Sequence, residues 1–427
     1  MSRELELVVV GGGIAGTMAV LVAASRGIDV GWIADDLGPE DQSAHWHGHL
    51  HRGRLYDPVR ERELIEELEG NARFWWSDAV APFHTPTPTL AVGPDDDWAD
   101  AYRRRLGSGA RPVAHPGYLQ DDVRAVGTDE AILDGPAFLG SARRLAAGEA
   151  TTVRGRCTRV RGRSGRWRLD WTNPAGARGE LAARRVIVAT GTASAQLVPG
   201  DVRLDRTLDS RLSRMLVLRG DLPAAAAIVP SRSAGGLFFA SRETGRPGDR
   251  VWLVSDGFSS PGDLPVGALT DGWWACSVVE RLTGFLREEA LDGLGIGAYR
   301  APKSRLQSSP TQVPAEGYAL GGNGTFACLT PSKWTSSPTS AASAVAALLP
   351  ERRAMPDTLD AMADLLASFP APAGVPLRET WESVDTRTPL AGLLPHSTSS
   401  LRAAAGLFAD AARRPTAAAA ADERVVA

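Results

Sequence analysis

A strand, a glycine-rich turn, a helix and a second strand follow one another at the start of the chain, and this order constrains the fold most. The apolar run LELVVV at 5–10 predicts a buried strand. The glycines after it lead into an apolar, alanine-rich segment at 14–25 of helical length, and IDVGWI at 28–33 predicts the second strand. Together they predict the β-α-β unit that opens a Rossmann-like domain.

The turn in VVVGGGIAG has the spacing GxGxxG, with Gly11, Gly13 and Gly16 at the glycine positions. The first glycine permits the tight turn, the second lets the backbone approach a pyrophosphate, and the third lets helix and strand pack closely. The N–H groups of the first helical turn, including those of Ile14 and Ala15, are then available to phosphate oxygens. A plain glycine-rich turn is the alternative, and the complete β-α-β context favours dinucleotide binding.

One element of the dinucleotide pattern is missing. The second strand usually ends in Asp or Glu, whose carboxylate binds a ribose hydroxyl, and that position falls on Ala34. We expect Asp35, or Asp36 after it, to take this role if the strand tip bends. If neither does, the ribose is held in another way or the nucleotide binds weakly.

Composition narrows the class of protein. The 427 residues include 43% hydrophobic and 23% charged residues with a net charge of -3, which argues against nucleic-acid binding. Cys157, Cys276 and Cys328 are far apart and odd in number, which favours a reducing compartment. No apolar run reaches the roughly 18 residues of a membrane span, and we expect no signal peptide. The expectation is a cytoplasmic protein without a membrane span.

Helices and strands alternate along the rest of the chain. Helices are predicted at 58–78, 138–147, 271–287 and 355–369. Strands are predicted at 151–160 and 165–171, at RVIVAT (185–190) and across the β-rich region 215–257. The return of a buried strand after a region with another pattern predicts two interleaved domains.

The predicted fold class is α/β (α+β), with a Rossmann-like nucleotide-binding domain and an interleaved substrate domain built on a mixed β-sheet. We assign 1–80, 150–214 and 300–352 to the nucleotide-binding domain, 81–149 and 215–299 to the substrate domain, and 353–427 to a C-terminal helical extension with an alanine-rich tail.

Four segments resemble a known family. They are VVVGGGIAG, SAHWHGHLHRGRLY (43–56), ARRVIVATGTASAQL (183–197) and TPSKWTSSPTSAASAVAALL (330–349). They resemble the D-amino-acid oxidase (DAO) superfamily of FAD-dependent oxidoreductases, and within it the L-2-hydroxyglutarate oxidases and the FAD-linked glycerol-3-phosphate dehydrogenases. The second segment is the most specific, because it keeps the family pattern G-x-x-H-x-G-x-x-Y at the expected distance after the β-α-β unit.

The resemblance implies FAD and a bent, mixed substrate sheet that covers one flavin face. We expect the FAD to be non-covalent, because no Cys or His lies clearly at a linkage position. It implies transfer of a hydride from a carbon that bears an amine or a hydroxyl, followed by electron transfer to oxygen or another acceptor. Beyond the glycine turn and Asp35, it implies cofactor contacts from Ser43, Gly48, His49, Val153, Thr190, Gly191, Ser332, Lys333, Trp334 and Thr335.

The resemblance also implies catalytic residues. His51 matches the family histidine beside the flavin, where it could orient the substrate or accept a proton. GIGAYRAPKSR (295–305) falls where the family has G-x-R-P, although Ala301 replaces the proline. Arg300 matches the arginine that clamps a substrate anion, and Lys303 and Arg305 could assist. A solvated basic turn is the alternative for this segment.

Four histidines alternate at His45, His47, His49 and His51, and on a strand they would share one face. Such a face suggests a metal site, but neighbouring glycines favour a loop and no zinc-type spacing completes the set. Loop or flavin contacts are therefore the favoured interpretation. Trp46 and His47 resemble a Trp-His pair that attaches FAD covalently in some relatives, but the spacing to the next glycine differs.

Three functions remain open from the sequence. The leading hypothesis is an oxidase or dehydrogenase of a small amine, amino acid or hydroxy acid. The second is a specialised biosynthetic oxidase with a larger substrate, suggested by the unmatched C-terminal region. The third is a flavin-fold partner subunit with weak or lost FAD binding, suggested by Ala34 and the altered PSKWTSS loop.

Overall fold

The structure is a computed structural model. It describes residues 3–37, 41–45, 47–54, 56, 58–59, 61–229, 237–244, 249–256, 259–261, 268–307, 317–331, 333–352, 358–368, 379–393 and 398–408. Among the residues singled out above, Trp46 and Ser332 lie outside this set.

The elements alternate as expected for an α/β chain. The strands are β1 (Glu4–Val10), β2 (Val30–Ala34), β3 (His49–Leu50), β4 (Thr89–Gly93), β5 (Arg124–Gly127), β6 (Ala131–Ile132), β7 (Thr151–Arg154), β8 (Arg156–Arg163), β9 (Arg166–Thr172), β10 (Arg178–Val188), β11 (Leu208–Gly220), β12 (Ala226–Val229), β13 (Leu237–Glu243), β14 (Arg250–Asp256), β15 (Ser259–Pro261), β16 (Gly295–Leu306), β17 (Tyr318–Gly321), β18 (Phe326–Leu329) and β19 (Thr388–Pro389). The helices are α1 (Ile14–Ser25), α2 (Arg62–Gly70), α3 (Ala72–Trp75), α4 (Asp96–Leu106), α5 (Gly135–Glu149), α6 (Ser194–Leu197), α7 (Ala268–Thr283), α8 (Ser337–Leu348), α9 (Thr358–Ala367) and α10 (Thr398–Gly406).

The first sheet has the order β17-β18-β10-β1-β2-β7, and β8 and β9 continue it as a meander paired to β10. Its five strands from β18 to β7 are parallel to one another. Parallel strands are covered on both faces, which is why β1 is apolar almost throughout. Helices α1, α5, α8 and α9 pack on one face, and the β8–β9 meander packs on the other. This arrangement confirms the predicted Rossmann-like domain.

The second sheet is mixed and has the order β19-β16-β11-β14-β13-β12-β4-β5. Only β12 and β4 pair in parallel; the other pairs on this path, within the described residues, are antiparallel. Helices α7 and α10 cover one face through a large hydrophobic core. The opposite face contacts the first domain, where the hydroxyl of Tyr299 donates to the carbonyl of His45 at 3.3 Å.

Strand pairing and helix packing move four of the predicted domain boundaries, those at 149, 214, 299 and 352. β11 and β16 pair from Leu208↔Leu306 to Arg219↔Gly295, so neither strand divides at 214 or at 299. Helix α5, assigned to the substrate domain, packs against α1 in the core of the first domain. In the described part of the C-terminal region, α9 packs on the first domain, whereas β19 pairs with β16 and α10 packs on α7 in the second, so the region is not a separate extension. Long-range pairing, which local patterns do not encode, sets these boundaries.

The single helix predicted at 58–78 is wrong, because two shorter helices, α2 and α3, meet at Asn71. The amide of Asn71 donates to the carbonyl of Glu67 at 2.8 Å and to Thr339 Oγ1 at 2.7 Å, and its oxygen accepts from the Thr339 N–H at 3.1 Å. A side chain that bonds to backbone groups competes with the helical ladder. At this break, the hydrogen bonds between Asn71 and Thr339 hold α2 and α3 against the start of α8.

Helix lengths stay moderate in this chain. The most apolar helix, α1, has 12 residues. Within the described ranges, no helix combines the length and the apolarity that crossing a bilayer requires.

Candidate functional site

Four parallel strands of the first sheet end at one edge. The last residues of β1, β2, β10 and β18 are Val10, Ala34, Val188 and Leu329. Ligands of open parallel sheets bind in the crevice outside such carboxyl ends. Among the residues expected to contact the cofactor, the glycine turn follows β1, Asp35 follows β2, Thr190 follows β10 and Lys333 follows β18.

The glycine turn after β1 is shaped by close backbone approach. Gly11 has a φ of +119°, and a side chain there would collide with the carbonyl of Ala189. Gly16 lies directly against the carbonyl of Gly11, so a side chain would push α1 away from β1. The first and third glycines therefore have the roles that the spacing predicts.

The middle glycine lies at the start of α1, beside Ser43. A side chain at Gly13 would approach Ser43 Oγ to 2.8 Å, and the same oxygen accepts from the N–H of Ile14 at 3.0 Å. The first-turn N–H groups of Ile14, Ala15 and Gly16 have no partner within the helix. Glycine, small side chains and helix-end donors form a cradle suited to a pyrophosphate.

The corner beside β2 differs from the usual dinucleotide site. Ala34 is buried and carries no acid, and Val153 on β7 pairs with Ile33 next to it. The Asp35 carboxylate points to Arg156 at 3.7 Å. In the same way, Asp36 is paired with Arg154 at 3.1 Å. Arginines of β7 and β8 thus engage both acids that we expected to replace the missing one.

A second part of the cradle lies where β10 ends. The N–H of Thr190 donates to Ser194 Oγ at 3.2 Å. A side chain at Gly191, where φ is +59°, would meet Gln42 Oε1 at 3.2 Å. The same Gln42 oxygen accepts from the N–H of Ser304 at 3.1 Å. These contacts join the turn after β10 to the 41–45 segment and to β16 of the second sheet.

The segment before α8 closes the site from a third side. Thr335 Oγ1 accepts from the N–H of His51 at 3.2 Å, and the Thr335 carbonyl accepts from Trp75 Nε1 at 2.7 Å. Trp334 stacks on Trp75 with 6.3 Å between ring centroids. The loop is thereby fixed against His51. Ser332 lies outside the described residues.

Three of the four alternating histidines gather in one cluster. The rings of His49 and His51 stack at 4.5 Å, and those of His47 and His51 are 5.6 Å apart. His47 packs on Phe238 of β13 at 4.2 Å. His49 Nε2 lies 2.9 Å from Glu130 Oε2, and both side chains are buried, although the ring N–H is poorly aligned for a hydrogen bond. The cluster lies between the segment before α8 and β13 of the second sheet.

The histidines closest to the basic residues are kept neutral. Burial lowers the pKa of both His47 and His51 well below the ordinary value, and the charges of His49, Lys303 and Lys333 lower it further. The Nδ1 atom of His51 is buried and accepts or donates no hydrogen bond within the described part of the chain. A neutral imidazole with an unused nitrogen can accept a proton.

Two lysines from different elements face this cluster. Burial, followed by repulsion from Lys333, lowers the pKa of Lys303 to about 8, and burial also lowers the pKa of Lys333. The Lys303 side chain keeps solvent-accessible surface, although many protein atoms lie around it. Lys333 Nζ lies 5.3 Å from the ring centroid of Tyr56. No carboxylate among the described residues lies within ion-pair distance of either ammonium.

The ligand atoms of His49, His51 and Glu130 lie within 4.8 Å of one another, a spacing at which they could hold a metal ion. The surroundings oppose this use, because Lys303 and Lys333 place positive charge beside the histidines. One carboxylate is the single anionic ligand of the set. The local charge favours an anion over a divalent cation.

The structure does not bring Arg300 to His51. Successive strand residues alternate between faces, and Arg300 points to the helix-covered face of β16, whereas Lys303 points to the histidines. Arg300 Nε donates to Asp271 Oδ2 at 2.9 Å, and Arg214 binds the other oxygen of the same buried carboxylate. This three-membered ion cluster ties β11 and β16 to α7. The expectation that Arg300 clamps the substrate is not supported by this placement.

Two residues at the site escaped the sequence analysis. Glu130 Oε1 accepts from the N–H groups of Arg52 at 2.7 Å and Arg54 at 3.2 Å, so this carboxylate holds the loop after His51. No local pattern marks Glu130. Arg143 of α5 contacts the glycine turn. The one sequence signal that could have pointed to it is Ala34, where the dinucleotide pattern lacks its acidic residue.

The sequence matches the model of a known family. A family model described as FAD dependent oxidoreductase, DAO, matches residues 6–281. No curated protein matches the chain significantly in sequence.

Solved structures share the fold at low identity. Glycerol-3-phosphate dehydrogenase from Bacillus halodurans, complexed with FAD, is 14% identical with a TM-score of 0.56; the match covers 82% of this chain and 65% of that one. Iminodiacetate oxidase from a Chelativorans species is 16% identical with a TM-score of 0.58, over 81% and 95% of the two chains. L-amino acid deaminase from Proteus vulgaris is 17% identical with a TM-score of 0.54, over 82% and 91%. At these identities the likeness concerns the fold.

Proposed function

The chain belongs to the DAO family of FAD-dependent oxidoreductases, and from that premise we propose that it oxidises a small anionic substrate at a carbon bearing an amine or a hydroxyl. Bound FAD supplies the hydride acceptor. The glycine turn and the first turn of α1 fit the pyrophosphate of such a cofactor, because Gly13 has no side chain and the first-turn N–H groups have no partner within the helix. The Ser43 hydroxyl, which accepts from the N–H of Ile14, lies beside them.

The pair of lysines beside a neutral histidine carries the proposal. Lys303 and Lys333 repel one another. The charge of Glu61 favours the ammonium of Lys333, but no described carboxylate lies within ion-pair distance of either lysine. Holding two partly desolvated cations together costs free energy, which an anionic ligand would offset. A substrate carboxylate or a similar anion is therefore the best fit to this part of the site.

The placement of these groups gives the substrate an orientation. Lys303 projects from the second sheet, and His51 lies on the loop that crosses the edge of the first sheet and binds Thr335. Binding the anion at Lys303 holds the far end of the substrate and leaves the carbon with the amine or hydroxyl near His51. Fixing both ends supports the alignment that hydride transfer requires.

His51 is the residue proposed to take the proton. When the C–H bond breaks and a C=N or C=O bond forms, the amine or hydroxyl must release one proton. His51 is neutral because burial and the nearby positive charges lower its pKa, and its Nδ1 is available among the described groups. The imidazole therefore accepts that proton and becomes charged only during turnover.

The partners follow from this chemistry. The substrate is a small molecule, and oxygen or another acceptor takes the two electrons from the reduced cofactor. A reducing compartment such as the cytoplasm is consistent with Cys157, Cys276 and Cys328, which are buried free thiols.

Non-covalent attachment of FAD is part of the proposal. The three cysteines lie in hydrophobic cores, away from the histidine cluster. His47 accepts the N–H of His49 at its Nδ1, at 3.2 Å. Acid precipitation should therefore leave the flavin in the supernatant, and a yellow pellet would contradict this part of the proposal.

The test of the proposed function is an anaerobic reduction screen of the purified holoenzyme. Amino acids and 2-hydroxy acids are compared with amines and alcohols that lack the acid group. We expect loss of the flavin's visible absorbance with members of the anionic set. Reduction by the uncharged alcohols or amines alone would contradict it.

A further inference from the structure

The corner of the nucleotide site next to β2 contains a guanidinium where the family pattern has a carboxylate. Ala34 ends β2 without an acid, and arginines of β7 and β8 engage Asp35 and Asp36. Arg143, from the middle of α5, reaches into this corner and is partly buried. The residue has no counterpart in the sequence pattern of the glycine turn.

Two backbone carbonyls hold the Arg143 side chain in place. Nη1 donates to the carbonyl of Gly12 at 2.6 Å, and Nη2 donates to the carbonyl of Asp35 at 2.8 Å. The guanidinium also lies 5.7 Å from the ring centroid of Trp32. These contacts span the gap between the glycine turn and the tip of β2, which is where a dinucleotide places its ribose.

The contacts of Arg143 also explain why residue 12 is a glycine, although the GxGxxG pattern does not require one there. Gly12 occupies a variable position of that pattern, yet a side chain there would collide with Arg143 Nη1. Any larger residue would displace the guanidinium from the turn. Gly12 and Arg143 thus form a matched pair, with the small residue making room for the large one.

We propose that Arg143 binds the adenosine ribose of FAD and takes the place of the acidic residue that Ala34 lacks. A carboxylate accepts a hydrogen bond from a ribose hydroxyl, but a hydroxyl oxygen also has lone pairs that can accept one. A guanidinium has five N–H donors, so Arg143 can keep both carbonyl contacts and still donate to the 2′-hydroxyl. Its positive charge also suits the neighbouring pyrophosphate.

The proposal rests on FAD binding by the family and does not depend on the identity of the substrate. Arg143→Ala removes the guanidinium, and Arg154→Ala is the matched control because Arg154 lies at the same corner but is exposed and paired with Asp36. Titration of the apoprotein with FAD should show affinity lower by about tenfold or more for Arg143→Ala. The control should bind FAD as the wild type does.

A ligand comparison separates a ribose contact from a structural role. ADP and 2′-deoxy-ADP compete with FAD, and they differ only in the hydroxyl that Arg143 is proposed to bind. We expect the wild type to prefer ADP and Arg143→Ala to lose that preference. Gly12→Ala should reduce the preference in the wild-type background and change little in the Arg143→Ala background.

The contrary results are equally specific. An Arg143→Ala variant that keeps the wild-type preference for ADP over 2′-deoxy-ADP overturns the proposal, even if FAD affinity falls. A wild type that discriminates poorly between the two ligands also overturns it. Neither result affects the proposed substrate chemistry, which the anaerobic reduction screen tests with the wild-type holoenzyme.

Discussion

Arg300 and Lys303 are three residues apart on β16, yet their side chains leave the sheet on opposite faces. Arg300 is bound to the buried carboxylate of Asp271 beneath α7, whereas the pKa of His51 is lowered in part by the charge of Lys303. The alternation of a strand therefore separates two basic residues that look equivalent in the sequence. Arg300 therefore has a structural role, and Lys303 faces the candidate site.

Substitution of the two residues should give different phenotypes. Lys303→Met should weaken binding of an anionic substrate by about tenfold or more, because a charge-assisted contact is lost. Arg300→Met should instead lower the melting temperature, because it leaves Asp271 with one fewer partner in a buried site. Stopped-flow reduction and thermal unfolding measure the two effects. If Lys303→Met lowered the melting temperature and left anion affinity at the wild-type level, our assignment of Lys303 to the site would be wrong.

Anion binding should weaken as the pH rises through about 8, the lowered pKa of Lys303. Below that pH the ammonium is charged and can bind the anion; above it the free enzyme has lost the proton and must regain it to bind. The dissociation constant of an anionic competitive inhibitor should therefore rise by up to about tenfold per pH unit above that pKa. Lys303→Arg, which stays protonated, is the control and should show a flatter profile. An identical rise in Lys303→Arg would place the titrating group elsewhere.

The same pKa shift has a consequence for stability. Lys303 releases its proton more readily in the folded protein than in the unfolded chain, whose ordinary value is 10.5. Its unfavourable contribution is thus fully present below about pH 8 and diminishes as the pH rises toward 10.5. Lys303→Met should accordingly leave the melting temperature near neutral pH unchanged or raise it, which makes it a clean variant for binding experiments.

His51→Ala should slow flavin reduction more than it weakens substrate binding. The imidazole is proposed to accept a proton in the reaction, whereas the anion is held by Lys303. Single-turnover reduction at several substrate concentrations separates the limiting rate from the affinity. His84→Ala is a suitable control, because His84 is a histidine with a lowered pKa that bonds to the carbonyl of Trp75 away from the lysines. An unchanged limiting rate in His51→Ala would remove it from the proton step.

Gly13→Val should abolish FAD binding while the chain stays folded. A side chain at this position enters the space between α1 and Ser43, which the pyrophosphate is proposed to use. Because the neighbouring atom is a small hydroxyl, the fold can absorb the change. Flavin absorbance of the purified variant and its circular dichroism report the two properties. Stoichiometric FAD in Gly13→Val would contradict the assignment of the glycine turn.

Local patterns were sufficient for the glycine turn and for the strands beside it. The spacing of Gly11, Gly13 and Gly16 corresponds to close contacts that only glycine allows, and the apolar runs at β1 and β10 correspond to strands covered on both faces. These features are encoded within a few residues of one another. They can therefore be predicted from the sequence without knowledge of the tertiary structure.

Features that depend on contacts between residues far apart in the sequence could not be predicted in this way. Arg300 and Lys303 could be distinguished only once the pairing of β16 showed which face each occupies. Glu130 contacts His49, although no sequence pattern connects their two segments. In the same way, Arg143 on α5 contacts the glycine turn. Sequence patterns indicated where the nucleotide binds, while the residues that tune the site required the packing of both sheets.

The most direct test of the proposed function compares one substrate with its neutral counterpart. An amino or hydroxy acid that reduces the holoenzyme under anaerobic conditions is measured beside its own amide, which keeps the reacting carbon and lacks the anion. We predict that the amide reduces the flavin about tenfold more slowly or worse at equal concentration, and that this difference disappears in Lys303→Met. Equal rates for acid and amide with the wild-type enzyme would contradict an anionic substrate held at Lys303.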